Sequence, residues 1–158
     1  MSTLEEIVGC LLTEQGLTVA VAESCTGGLI AHRLTNVPGS SAYFVGGVVA
    51  YSNQAKERIL GVSGETLSAY GAVSEECARE MARGARRIFS TDVAISATGI
   101  AGPTGGTPEK PVGLVYVAMA APELERCERH LWRGDRLENK QRTSKAALEM
   151  LRRYLEAR

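Results

Sequence analysis

The sequence predicts an α/β sandwich built on a mixed, mostly parallel sheet, and three observations carry that prediction. "LTVAVA" at 17–22 and, after its leading Asp92, "DVAISATG" at 92–99 are runs of small and apolar residues, as expected of strands buried on both faces. Segments of helical periodicity separate the strand candidates, the alternation from which α/β sheets are built. Late in the chain, "VGLVYVAMA" and "ERCERHLWR" are joined by only "APEL", a connection short enough for an antiparallel hairpin.

Taken in order, residues 3–15 read as an amphipathic helix, with Leu4, Ile7, Val8, Leu11 and Leu12 at helical spacing. Ser2 with Glu5, or Thr3 with Glu6, has capping-box spacing, and Gly16 is placed to end the helix. The strand at 17–22 runs into a Ser-Cys-Thr-Gly-Gly turn. "LIAHRLTN" then reads as helix until "VPGSS" interrupts it. "AYFVGGVVAYS" is the second strand, where Gly46 and Gly47 imply a bulge or close packing. "NQAKERILG" and "ETLSAYG" are short helices. Ser74 is placed to cap a longer helix over 75–89, with Ala78, Met81, Ala82, Ala85 and Ile88 on one face. "GIAGPTGGTPEKP" holds four glycines and three prolines in 13 residues and must be a loop. From Asp135 a last helix carries Leu148, Leu151 and Leu155 on one stripe.

At 158 residues, without internal repeat, linker or low-complexity segment, the chain is expected to form one domain over 1–158. Eighteen basic and eighteen acidic side chains cancel, which argues against broad electrostatic capture of nucleic acid or an anionic membrane. No apolar stretch approaches the roughly 20 residues of a membrane span, and "MSTLEEIVGCLL" is acidic where a signal peptide is basic. A cytoplasmic location is therefore expected. Cys10, Cys25, Cys77 and Cys127 form no CxxC pair and read as free thiols, so no metal site is predicted.

Ligands of open α/β sheets sit beyond the carboxyl ends of the parallel strands. Three unusual segments occupy such ends: Ser24 to Gly28, Tyr51 to Lys56, and Gly99 to Lys110. In the first, the helix that follows presents unsatisfied N–H groups, and Gly27 and Gly28 remove side chains that would keep a ligand away. Such a helix start can hold an anion or a developing oxyanion. An ordinary N-cap with closely packed glycines would need the same residues, so both readings stand.

If Ser24 is a nucleophile it needs a base within reach. His32 lies about two turns down the same helix at ~1.5 Å per residue, and His130 alternates with charged residues in an edge-strand candidate. A Ser-His-Asp triad is therefore not expected. Lys56 is the substitute, because a desolvated lysine can be neutral and accept a proton; the plain alternative is a solvated lysine near a helix start. Tyr51 ends the preceding strand and faces the same opening. Cys25 is intrinsically the better nucleophile, but cysteine enzymes use a nearby histidine, and a small apolar thiol beside the site suits it better. The loop "GIAGPTGG" offers backbone amides for a phosphate or a flat amide-bearing ring, yet it matches neither a Walker loop nor G-x-G-x-x-G. Lys110, Arg133 and Arg136 offer charge for a phosphate, with a solvated surface position as the alternative for each.

The segments "VAESCTGGLIA", "GSSAYFVGGVVAYSNQAKERILGV", "GAVSEECAREMA", "ISATGIAGPTGGTPEKPVGLVYVA" and "RGDR" closely resemble the CinA C-terminal family, in order and over nearly the whole chain. That family includes stand-alone nicotinamide-nucleotide amidohydrolases. The pyrophosphatase-like N-terminal domain of full-length CinA proteins has no counterpart here, so the short stand-alone type is expected. The resemblance implies a three-layer α/β/α fold and hydrolysis of nicotinamide mononucleotide to nicotinate mononucleotide and ammonia, a step of pyridine nucleotide salvage. It implies a serine–lysine mechanism without metal or organic cofactor, and a homodimer. By the same resemblance Ser24 is the nucleophile, Lys56 the base and Tyr51 an assisting residue. The resemblance of the glycine loop makes Gly99, Ala101, Gly102, Gly105 and Gly106 candidate substrate-binding positions; the turn residues Cys25, Thr26, Gly27 and Gly28 and the basic Lys110 and Arg136 join them by their place at the strand ends. A competence- or damage-related nucleotide-binding module, or an amidase for another small amide, is the alternative.

Overall fold

The computed structural model describes residues 1–158. Helix α1 (Leu4–Gln15) leads into β1 (Val19–Glu23), α2 (Leu29–Thr35), a 3-10 turn at Ser40–Ala42 and β2 (Phe44–Val49). Three helices follow, α3 (Asn53–Leu60), α4 (Gly64–Tyr70) and α5 (Glu75–Phe89), then β3 (Val93–Gly99), β4 (Leu114–Ala120), β5 (Glu125–Leu131) and α6 (Arg136–Glu156). The caps read from the sequence form. Of the two possible capping boxes of α1 it is Thr3 with Glu6 that closes, Gly16 ends that helix at φ 65°, and Ser74 accepts from the Cys77 amide.

The strands form one sheet in the order β2-β1-β3-β4-β5. β1 pairs in parallel with both neighbours, while β3–β4 and β4–β5 are antiparallel. Only β4 therefore runs against the other strands, as a mixed, mostly parallel sheet requires. Residue size divides the two faces. Val19, Val21, Val93, Ile95, Val117 and Met119 pack on one side against Val8 and Leu12 of α1, Ile30 and Leu34 of α2, and Leu148, Leu151 and Leu155 of α6. The other side presents Ala20, Ala22, Ala94, Ala118 and Ala120 to α3 and to Cys77, Ala78, Met81, Ala82 and Ala85 of α5. With small side chains on both partners, α5 sits so close that the Ser96 hydroxyl on β3 donates to the Ala78 carbonyl at 2.6 Å. A Cβ on Gly84 would lie 2.0 Å from the Leu60 carbonyl oxygen, so α5 also rests on the end of α3. The result is the three-layer α/β/α sandwich.

β2 is shorter than the sequence run that announced it, because Ser52 leaves the sheet to cap α3. Both expectations for its glycines hold. The β1–β2 register shifts between Val19 and Ala20, and a Cβ would collide with the Phe89 ring at Gly46 and with Val21 at Gly47. No helix is long and apolar enough to cross a membrane. From β1 the chain steps outward to β2 and returns across β1 to β3, so the carboxyl end of β1 is a topological switch point. The three predicted segments meet there.

Candidate active site

Ser24 follows the last residue of β1, and its amide still donates to Ala97 on β3 at 2.9 Å. Lys56, from the first turns of α3, reaches it from the other side. Its Nζ lies 2.9 Å from Ser24 Oγ, 2.9 Å from the Ala50 carbonyl oxygen and 3.2 Å from that of Tyr51. The lysine is 1% exposed and joins no ion pair. Burial holds its pKa below the ordinary lysine value, against a smaller opposing pull from the Cys77 and Cys25 thiols. A neutral amine has two N–H donors and one lone pair. In its ammonium form Lys56 Nζ has three donors, which the Ser24 hydroxyl oxygen and the two carbonyls accept; in its neutral form the carbonyls can take both donors and leave a lone pair facing Ser24.

The helix start beside Ser24 is not the open anion site that the glycines implied. Glu23, fully buried, turns its carboxylate into the first turn of α2 and accepts from Ile30 N at 2.9 Å and Ala31 N at 3.0 Å. Thr26 Oγ donates to the same carboxylate at 2.6 Å, which commits that side chain to the turn. The chain thus supplies its own anion to the helix dipole. The amides of Cys25 and Thr26 are left without an acceptor within the protein, immediately after Ser24. Glu23 is a participant that sequence reasoning missed; a carboxylate ending an apolar strand was its only signal.

Ser24 and Lys56 line a cavity of about 210 Å³ together with Cys25, Tyr51, Asn53, Ala72, Val73, Thr98, Gly99, Ala101 and Arg136. Cys25 is 6% exposed, and burial pushes its thiol up to about 12, so it stays protonated at neutral pH. Tyr51 touches Lys56 through its backbone carbonyl only. The residue is 62% exposed, and its phenol oxygen accepts from Arg136 at 3.0 Å, so the two cavity-lining side chains are joined at the mouth. The other arm of Arg136 donates to the Gly102 carbonyl at 2.7 Å, so this residue bridges two loops across the mouth.

The remaining sequence candidates fall outside the lining. Gly27 and Gly28 adopt positive φ, at 61° and 106°, and shape the turn. Gly105 and Gly106 are exposed. A Cβ on Gly106 would lie 2.6 Å from the Val112 amide, so that glycine lets the loop close on itself. Lys110 donates to the Tyr70 carbonyl at the end of α4. His32 is exposed on α2, and His130 pairs with Glu128 and stacks on Trp132 at 4.6 Å, so neither reaches the cavity. Asn139, also missed, is 1% exposed and fixes α6 to the glycine loop. Its Nδ2 donates to the Ala101 carbonyl at 2.9 Å, and its Oδ1 accepts from Gly134 N at 3.0 Å. A polar residue at a core position of an amphipathic helix was the available signal.

Fold and site together define an α/β/α sandwich with a buried serine–lysine pair at the switch point of its sheet. The chain belongs to the CinA C-terminal domain family, which matches residues 1–155. It is 55% identical to a CinA-like protein of Chloroherpeton thalassium over 98% of its length and 57% identical to one of Chlorobaculum tepidum over 94%. It spans only 38% and 36%, respectively, of those two relatives. Among solved structures it is similar to competence damage-inducible protein A of Klebsiella pneumoniae, with TM-score 0.94, 35% identity and 97% and 95% of the two chains covered. It is also similar to the competence/damage inducible protein CihA of Agrobacterium tumefaciens, with TM-score 0.88, 44% identity and 99% of each chain covered.

Proposed function

We propose that this protein is a serine–lysine amidohydrolase that converts nicotinamide mononucleotide to nicotinate mononucleotide and ammonia, as in pyridine nucleotide salvage. The observation that carries the reading is the 2.9 Å approach of a buried, uncompensated lysine to a serine hydroxyl at the floor of a cavity. A module that only bound nucleotides would gain nothing from desolvating that lysine.

Neutral Lys56 takes the Ser24 proton as Oγ bonds to the carboxamide carbon. The unengaged amides of Cys25 and Thr26 are the donors placed for the resulting oxyanion. The Lys56 ammonium returns its proton to the nitrogen, the C–N bond breaks, ammonia leaves and an acyl ester remains on Ser24. Water attacks that ester, gives a proton to Lys56, and the nicotinate product departs as the proton returns to Ser24. In this scheme Tyr51 contributes through its carbonyl, which holds Lys56, and its phenol, which orients Arg136.

The test is ammonia release from nicotinamide mononucleotide by the purified protein, with Ser24→Ala and Lys56→Ala alongside. The wild type releases ammonia, and each variant loses about 10²–10⁴-fold, the scale of a nucleophile or general base. No release by the wild type would sink the reading. Release by Ser24→Ala at the wild-type rate would remove the nucleophile from this position.

A further inference from the structure

We propose that Asn139 is a positioning residue for the cavity: it fixes the glycine-loop wall at Ala101 and, through that wall, sets how tightly the carboxamide substrate is held. The role rests on the amidase reading above. Asn139 lies near the start of α6, buried, with its side-chain amide between two loops. One end donates to the Ala101 carbonyl and the other accepts from Gly134 N. Of the uncharged side chains, an amide suits this place, because it carries a donor and an acceptor on one planar group. An apolar side chain here would leave a buried carbonyl and a buried N–H unpaired.

Ala101 is the reason the bond matters to the site. It is 8% exposed and lines the cavity that holds Ser24 and Lys56. Neither its amide nor that of Gly102 has an acceptor within the protein. The peptide unit joining the two residues is planar and trans, so holding its carbonyl against α6 turns its N–H the opposite way. Gly102, at φ 87°, has the backbone freedom to let that unit rotate. Arg136, three residues earlier on α6 and exposed, holds the next carbonyl of the loop, that of Gly102. Asn139 is the buried anchor beneath it.

The reacting pair does not depend on this anchor. Ser24 N is held by the Ala97 carbonyl of β3, and Lys56 by the carbonyls of Ala50 and Tyr51, none of them in the loop. Loss of the Asn139 bond therefore loosens a wall that meets the substrate and leaves serine and lysine in register. Its kinetic signature is a raised KM with kcat nearly unchanged. The same helix supplies a matched control. Trp132 Nε1 donates to Thr143 Oγ1 at 2.9 Å, one turn beyond Asn139, and neither residue lines the cavity.

The test compares wild type, Asn139→Leu and Trp132→Phe; Asn139→Ala, which leaves room for water at both backbone groups, replaces the leucine variant if that one does not fold. In ammonia release from nicotinamide mononucleotide, the Asn139 variant is expected to raise KM about tenfold or more, with kcat within about threefold of wild type. Trp132→Phe keeps the wild-type KM although it too lowers the urea midpoint. An unchanged KM in the Asn139 variant, an equal rise in Trp132→Phe, or a fall in kcat alone overturns the proposal. Two further readouts stand apart from the amidase reading. Labelling of Ser24 by a small fluorophosphonate needs only the serine–lysine pair and should match the wild-type rate in the Asn139 variant; a rate tenfold slower or worse means that the pair has moved, and the proposal fails. Ile100 N and Gly113 N donate to the Leu114 and Ile100 carbonyls across the neck of the loop. Their hydrogen exchange is expected to quicken about tenfold in the Asn139 variant and not in Trp132→Phe. If the wild type releases no ammonia, the amidase reading falls and this exchange decides whether Asn139 holds the wall; equal exchange in all three proteins refutes it.

Discussion

Lys56 Nζ stands 2.9 Å from Ser24 Oγ, is buried and forms no ion pair with any carboxylate. That relationship sets the protonation logic of the site. Burial lowers the lysine pKa, so a larger fraction is neutral at a given pH than for a solvated lysine. A group that must be neutral to act gains activity as pH rises and loses it in acid. The logarithm of kcat/KM for ammonia release therefore climbs with pH through the Lys56 pKa and then levels. A profile that is flat down to about pH 5 would count against a lysine base.

Glu23 closes the start of α2 with a carboxylate that accepts from two amides and a hydroxyl. Glu23→Gln turns one acceptor into an NH₂ group facing an N–H donor, and the turn that carries Ser24 must shift. Denaturant unfolding is expected to show a loss of about 1–3 kcal/mol. Displacing the nucleophile should lower kcat about tenfold to a hundredfold while KM changes little. Wild-type stability and kcat in this variant would show that the turn holds without the carboxylate.

Tyr51→Phe separates the phenol from the backbone carbonyl of the same residue. The carbonyl still holds Lys56, so kcat is expected within about threefold of wild type, with a modest rise in KM as Arg136 loses an acceptor. A fall in kcat of a hundredfold would instead assign the phenol a proton-transfer role.

Cys25 lines the same cavity as Ser24, but its thiol, pushed up to about 12, is protonated at neutral pH. Cys25→Ala is expected to keep kcat within about tenfold, since it removes volume beside the nucleophile and no reacting group. Mass spectrometry after brief iodoacetamide treatment near pH 7 should find Cys10, which is exposed, labelled well before Cys25. Preferential labelling of Cys25 would mean that it is ionised and would reopen its claim as nucleophile.

Much of the fold was legible because its signals are local. The capping pairs at Thr3 and Glu6, the serine at 74 and the four-residue hairpin connection each act within a few residues of where they are written. The buried strands announced themselves by composition, and small side chains such as Ala20, Ala94 and Ala118 prefigured the close seat of α5. The site was only partly legible. Ser24 and Lys56 were named as a pair by chemistry and family resemblance, although 32 positions separate them. Glu23 went unnoticed because a glutamate at a strand end looks like any solvated carboxylate until its three donors are in place. Of the loop candidates Gly99, Ala101, Gly102, Gly105, Gly106 and Lys110, only Gly99 and Ala101 line the cavity.

The sequence by itself determined which segments become strands and helices, where they stop, and which loops gather at one end of the sheet. These are outcomes of periodicity, capping and turn chemistry, energies decided among near neighbours. Only the tertiary structure decided that the lysine is desolvated, that the helix start is already occupied, that the Tyr51 phenol meets Arg136 while its carbonyl meets Lys56, and that Lys140 comes to rest over Gly27. Desolvation and hydrogen-bond partnership depend on everything packed around a group, and those surroundings are assembled from residues distant along the chain.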